Sequence, residues 1–390
     1  MISVDDALAL LFDLARPLGS ETVPLAEADG RVLAMPVQAR RDQPPFAASA
    51  MDGYAVRSAD AVPGATLTVI GEAAAGDRHD GPVGPGQAVR IFTGAPVPYG
   101  ADRVVIQEDV TRDGDTITLG DGLDKGPHIR PAGADFTQGA TLDAPRLLRP
   151  ADIALMASMN IPDVPVARKP EIALISTGDE LVMPGEDPGP DQIVASNTFG
   201  LKALFDRHGA HTRVLPIARD HTASLNTAFD LAQGADLVIT IGGASVGDHD
   251  LVARVAAERG MEQAFYKVAM RPGKPLMAGR MDGAAMVGLP GNPVSAMVCG
   301  HIFILPMIRA MQGLPPARAP ENTAPLAQDI GPNGPREHYM RARLTPEGIA
   351  PFGSQDSSLL TILSEADALL IRPAHDPART AGEIMRYLPV

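Results

Sequence analysis

Apolar residues at Val4, Leu8, Leu11 and Phe12 recur at helical spacing and predict an amphipathic first helix. Residues 27–39 carry mixed short apolar runs, and Asp42-Gln43-Pro44-Pro45 then breaks any helix. From about residue 40 to 137 the pattern changes to short alternating segments at 66–71, 88–93, 103–107 and 116–119. These are separated by turns such as Gly81-Pro82 and Gly84-Pro85-Gly86, which predicts a small all-β domain. Helical patterning returns at 150–160 with Ile153, Leu155 and Met156. The β domain, 39–137, therefore reads as an insertion into a helical linking domain made of 1–38 and 138–168.

Beyond residue 169 strands alternate with helices. Strands are predicted at 172–176, 236–241 and 285–289, and helices at 196–208, 250–259 and 293–311, the last kinked at Pro306. In the 196–208 helix, Leu201, Leu204 and Phe205 share one face. This alternation implies crossovers and a parallel sheet buried on both faces, so 169–313 reads as an α/β domain. After Gly313-Leu314-Pro315-Pro316 come short strands at 339–344 and 368–371, giving a small C-terminal β-barrel or sandwich over 314–390.

Charge and cysteine content narrow the function classes. A net charge of -14 argues against nucleic acid as the main partner. No run is expected to reach the ~20 apolar residues of a membrane span. Asp5 and Asp6 stand where a signal peptide would be basic, so a cytoplasmic location is expected. The single cysteine, Cys299, lies in an apolar helical run and reads as core. There is no Trp, so stacking platforms for bases are scarce.

Ligands of open parallel sheets bind beyond the carboxyl ends of the strands. Three loops at predicted strand ends carry unusual residues. They are Ser176-Thr177-Gly178-Asp179-Glu180, Gly242-Gly243-Ala244-Ser245-Val246-Gly247-Asp248-His249-Asp250, and Leu289-Pro290-Gly291-Asn292-Pro293-Val294-Ser295. Gly242, Gly243 and Gly247 let backbone N–H groups approach an anion. Between the last two loops, Lys267, Arg271 and Lys274 place three cations in eight residues, stiffened by Pro272 and Pro275. Such a cluster suits phosphate or another tetrahedral oxyanion. Asp248 and Asp250 beside an anion cradle make sense if a divalent cation bridges carboxylate and phosphate, with Glu180 a further candidate ligand or base. The plainer alternative is an N-cap role for Asp250 or Asp248.

Thr-Gly-Asp-Glu-Leu at 177–181, the Gly-Gly-x-Ser-Val-Gly run at 242–247, Lys267 through Pro275, and Leu-Pro-Gly-Asn-Pro-Val-Ser at 289–295 follow one another in a fixed order. Upstream lie Ser49-Ala50-Met51-Asp52-Gly53-Tyr54-Ala55 and Phe92-Thr93-Gly94-Ala95-Pro96-Val97-Pro98, and downstream Tyr339-Met340-Arg341-Ala342. Together these resemble the molybdopterin molybdenumtransferase family, which includes bacterial MoeA and the E domain of gephyrin. The resemblance implies a multidomain α/β and β protein whose central domain is MogA-like, assembled as an elongated homodimer. It implies Mg²⁺-dependent insertion of molybdenum from molybdate into adenylylated molybdopterin, with release of AMP. Partners would be an upstream adenylyltransferase and downstream cofactor-maturation proteins. Asp52 and Thr93 would reach the site across the dimer interface. Ser245, Asp250, Arg271, Lys274 and Ser295, with Lys267, Pro290 and Pro293 nearby, would surround phosphate and oxyanion, and Arg341 and Ser357 would hold molybdate. Asp220 becomes a candidate metal ligand only through this resemblance, and equally suits a surface turn. Arg271 stands where many relatives have lysine, and Asp356 is acidic where a neutral residue is commoner.

Two other readings use the same residues: a non-catalytic molybdopterin-binding carrier or scaffold, and an enzyme of this fold acting on a related pterin nucleotide or on tungstate. The assembled acid and cation set favours catalysis over the first.

Overall fold

The computed structural model describes residues 1–243 and 251–390. The proposed roles of Ser245, Gly247 and Asp250 therefore fall outside the described residues.

The molecule is mixed α/β with several sheets. Its central six-stranded sheet runs, from one edge, His211–Val214, Glu171–Ser176, Leu237–Ile241, Ala284–Leu289, Met277–Met281 and Glu262–Tyr266. The strands 171–176, 237–241 and 284–289 are almost wholly buried, as their continuous runs of branched apolar residues require in a covered sheet. The first four strands are parallel, as expected, but Met277–Met281 runs antiparallel to both of its neighbours. The reason is local: Met281-Asp282-Gly283-Ala284 makes a tight hairpin with φ of 51° at Asp282 and 83° at Gly283. Asp-Gly is the favoured pair for a two-residue turn with both φ positive.

One face of this sheet packs against the helices Val4–Leu14, Asn197–Arg207 and 293–311, and the other against Thr222–Leu231 and Leu251–Glu258. Ser3 caps the first helix through a reciprocal pair with Asp6, and Val4, Ala7, Leu8 and Leu11 are buried in the α/β core. The rest of the outgoing chain pairs with its return. Ser20–Pro24 lies antiparallel to Asp163–Ala167, and Val32–Leu33 to Arg146–Leu147.

Between them sits a six-stranded sheet in the order Arg103–Ile106, Gly53–Val56, Gln87–Ile91, Thr66–Ala73, Thr116–Leu119, Val110–Asp113. All four residues of the 53–56 strand are buried, although its sequence, Gly-Tyr-Ala-Val, lacks the alternation that marks the neighbouring strands.

The 293–311 helix departs from expectation in two ways. A π-helical segment, Gly300–Ile304, joins two α-helical stretches just before Pro306. The Leu305 N–H reaches back to the Gly300 carbonyl, so the register widens by one residue just where proline removes a donor. The helix is also long and apolar enough, at 19 residues, to cross a membrane by length and composition, but 83% of it is buried in the core. Cys299 is buried there, and desolvation pushes its thiol pKa up.

At the C-terminus, Asn322–Pro325, Glu337–Thr345, Gly348–Pro351, Ala368–Arg372 and Ile384–Pro389 pair antiparallel. A parallel bridge between Leu326 and Ile349 closes the set into a ring. Met270–Arg271, from the basic loop of the α/β unit, adds to this sheet parallel to Glu337-His338.

Candidate active site

The strands 171–176, 237–241 and 284–289 end side by side, and their loops enclose a hollow of about 720 Å³. Its wall includes Thr177, Gly178 and Glu180 from the first loop, Gly242 and Gly243 from the second, and Pro290 through Pro293 from the third. Asp220, Pro275 and Ser358 complete it from other segments. Gly242 and Gly243 adopt φ of 92° and 67°, and a Cβ on Gly242 would lie 2.8 Å from the Thr177 carbonyl oxygen. Only glycine permits that backbone course.

The loops are tied to one another. The Thr177 N–H donates to Ile241 O at 3.0 Å, and the Gly242 N–H to Leu289 O at 3.1 Å. Asn197 Nδ2 donates to Gly291 O at 2.8 Å. The Arg219 guanidinium donates to the carbonyls of Asp179 and Leu181, both at 3.0 Å, and of Gly178 at 3.3 Å. It thereby fixes the turn that carries Glu180. Asn197 and Arg219 were not singled out in the sequence, where nothing in their own neighbourhoods marks them. They act through segments distant along the chain.

Glu180 and Asp220 line the hollow together. The Asp220 N–H donates to Asp179 Oδ1 at 3.0 Å. Burial raises the Asp220 pKa, and the charges of Asp179 and Glu180 raise it further. The folded state thus favours protonated Asp220. That contribution is present below the ordinary aspartate pKa and is lost as pH rises through the raised value. Asp220→Asn is therefore expected to raise the melting temperature at pH 7.5, with the gain vanishing near pH 3.5, as scanning calorimetry at the two pH values would read. A gain independent of pH would contradict this reading of the rim.

The basic segment is pinned by backbone bonds from Lys267 N to Leu276 O at 2.8 Å and from Val268 N to Lys274 O at 3.1 Å. Of this segment, only Pro275 lines the hollow. Lys267 turns its Nζ over the Tyr266 ring, 4.6 Å from its centroid. Neither Arg271 nor Lys274 pairs with a carboxylate among the described residues, whereas Arg318, Arg372 and Arg379 all do.

Arg271 lies beside His338 in the paired strands. Burial, reinforced by the positive charges of Arg271, Arg372, Arg341 and Arg336, pushes the His338 pKa down to about 4. Arg341 is 1% exposed, and burial lowers its pKa. It donates to Asp356 O at 2.8 Å and to Gln355 Oε1 at 3.3 Å. The Asp356 carboxylate instead accepts from the Ser358 N–H at 2.8 Å and hydroxyl at 2.7 Å, bonds that hold its pKa low. The acidic departure at this position is thus absorbed by its own turn. Ser357 joins the C-terminal ring to the third loop, its Oγ accepting from Asn292 Nδ2 at 2.9 Å and its carbonyl from Val294 N–H at 3.1 Å.

The structure therefore brings Glu180, Asp220, Gly242, Gly243, Pro290 and Pro293 onto one wall. Ser357 touches a wall residue, and Arg271 of the basic loop pairs with the strand that carries Arg341, close enough for its charge to act on the Arg341 guanidinium. Ser295 is buried in the first turn of its helix and off the wall.

Asp52 and Thr93 form a separate pair in the inserted sheet. The Asp52 carboxylate accepts from the Thr93 N–H and hydroxyl, both at 2.8 Å, and these bonds lower its pKa. Arg90 braces the pair. It donates to Gly53 O at 3.0 Å and Gln107 Oε1 at 2.8 Å, and its guanidinium lies 4.6 Å from the centroid of the Phe92 ring. Neither Asp52 nor Thr93 lines the hollow of its own chain.

Three family models match in sequence order. They are described as the MoeA N-terminal region (domain I and II) over residues 2–160, a probable molybdopterin binding domain over 173–310, and the MoeA C-terminal region (domain IV) over 323–390. A molybdopterin molybdenumtransferase of Nostoc sp. is 36% identical over 100% of this chain and 94% of its own length. Molybdopterin molybdenumtransferase 2 of Mycobacterium tuberculosis is 36% identical over 96% of each chain. The crystal structure of the molybdopterin biosynthesis MoeA protein of Pyrococcus horikoshii superposes with a TM-score of 0.87 at 28% identity, covering 100% of both chains.

Proposed function

Because this chain belongs to the molybdopterin molybdenumtransferase family, we propose that it is the transferase that inserts molybdenum from molybdate into adenylylated molybdopterin, releasing AMP. The observation that carries this reading is the glycine-walled hollow at the strand ends, with Glu180 and Asp220 in its wall and Pro275 bringing to it the loop that carries Arg271 and Lys274, neither with a described carboxylate partner. Both substrates are anions. Their mutual repulsion must be offset before an oxygen of one can approach the phosphorus of the other. Lys274 and Arg271 supply fixed positive charge, Gly242 and Gly243 leave room for backbone N–H donors, and Arg341 adds a guanidinium from the C-terminal ring.

Glu180 and Asp220 fit a divalent cation. Burial raises the Asp220 pKa and the charges of Asp179 and Glu180 add to it, with Arg219 offsetting part of that charge, so a cation between the two carboxylates would relieve the remainder. Mg²⁺ needs only one or two carboxylates together with water and phosphate oxygens. When bound, it would neutralise charge on the phosphoanhydride. Asp250 is the third candidate ligand and lies outside the described residues.

The same reading divides the chain into a linking domain (1–38 with 138–168), an inserted β domain (39–137), an α/β domain (169–313) and a C-terminal β-barrel (314–390). The packing of the first helix would tie the linking domain to the α/β core. In a cytoplasmic homodimer, Asp52 and Thr93 of one subunit would complete the hollow of the other. The upstream adenylyltransferase would supply the substrate, and cofactor-maturation proteins would receive the product.

The test is purified protein with adenylylated molybdopterin, Mg²⁺ and molybdate, following AMP and cofactor formation. Both products are expected. AMP without molybdenum transfer would indicate a related substrate, transfer only with tungstate a different metal, and tight binding without AMP a carrier.

A further inference from the structure

We propose that a second cavity of about 500 Å³, adjoining the anion hollow, holds a planar nitrogen heterocycle of the substrate; this rests on the function proposed above. It lies between the helices 197–207, 293–311 and 360–364, and Ser196 and Asn197 line both cavities. The two spaces therefore adjoin at Ser196 and Asn197, which places a ring held in one next to an anion held in the other.

Their chemistry differs. The second cavity is lined by Met297, Leu360, Leu363 and Ala366, with no lysine or arginine among its lining residues. It is suited to the uncharged part of a ligand whose anionic part lies next door. Its volume falls within the usual range for small-molecule sites. An acyl chain would leave the polar groups here unused, because His301 and Ser364 also face the cavity.

The His301 ring makes no hydrogen bond with another side chain or backbone group among the described residues. Burial, with His208 nearby, pushes its pKa down to about 4, so near neutral pH it is an uncharged imidazole with one donor and one acceptor. A ring with N–H and lone-pair positions along its edge meets that pair, and a thioether such as Met297 packs well on aromatic faces.

The substrate offers two such rings, adenine and pterin. Adenosine and 6-hydroxymethylpterin, neither carrying phosphate, would be titrated separately into the full chain by calorimetry. One is expected to bind. Ser364→Trp, which fills the cavity from an exposed position, and His301→Phe should each weaken that binding by at least about tenfold. Lys274→Ala should leave it within about twofold, because the neutral probe does not need the cation. If His301→Phe fails to fold, Ser364→Trp decides.

Failure of both probes to bind wild-type protein, or unchanged binding in a folded Ser364→Trp variant, would overturn the assignment. The two proposals fail separately. Wild-type KM for adenylylated molybdopterin in Ser364→Trp would remove this cavity from the substrate path while AMP release still stood. Wild-type protein that binds the ring at His301 but releases no AMP would keep the cavity and remove the reaction.

Discussion

Lys274→Ala is expected to slow AMP release by roughly 10²–10³-fold while leaving the melting temperature near that of the wild type. The large kinetic effect follows from what the cation is for. In the proposed reaction it would face an anion only when substrate is bound, and its loss would leave developing charge on the leaving phosphate unopposed. The small stability effect follows from what it does in the resting fold. Its side chain breaks no ion pair with a described carboxylate, and its loop is pinned by the Lys274 carbonyl, which alanine retains. Single-turnover AMP release paired with a thermal melt checks both halves. A rate within threefold of wild type would remove Lys274 from the reaction, and a collapse in melting temperature would recast it as structural.

Asp52→Ala and Lys274→Ala homodimers should each be nearly inactive, and mixing them after subunit exchange should restore activity to about one quarter of wild type. Equal mixing gives about half heterodimers, each with one site that draws Lys274 and Asp52 from the unmutated copies. The prediction rests on placement. Asp52 and Thr93 sit in the inserted sheet and do not line their own chain's hollow. Thr93 fixes both the position and the ionisation of the Asp52 carboxylate, so the pair is ready-made for a ligand brought by another subunit. Recovered activity is to be measured against exchange time. No recovery after verified exchange would contradict a composite site.

What could be read from the sequence follows the range of the forces involved. The strands 171–176, 237–241 and 284–289 announce themselves because burial on both faces demands unbroken apolar runs. The loops at their ends are equally visible, since glycine and proline there answer to local backbone geometry. The antiparallel edge escaped for want of weight given to Asp282-Gly283, a two-residue signal that was present. The strand 53–56 escaped because its glycine and alanine pack by being small, which no hydrophobic pattern reports.

At the site, the candidate residues on the wall are more legible than those that hold them in place. Glu180 stood out as a charge at a strand end. Arg219, which clamps the Glu180 turn by three carbonyls, is one arginine among many until the chain is folded. Likewise Gln355, which bonds the Arg341 backbone in both directions, sits in a polar turn with no local pattern. The fate of Asp356 needed geometry as well. It is acidic where a neutral residue is commoner, yet its carboxylate bonds Ser358 while its carbonyl accepts from Arg341.

The account stands on one meeting place for two anions, and a crystal grown with AMP and molybdate tests that most directly, through the anomalous signal of molybdenum. The predicted result is phosphate in the hollow beside Gly242 and Glu180, with molybdenum close enough for both anions to share the cations of the 271–275 loop. Molybdenum and phosphate bound on different faces of the subunit, with no cation in common, would contradict it.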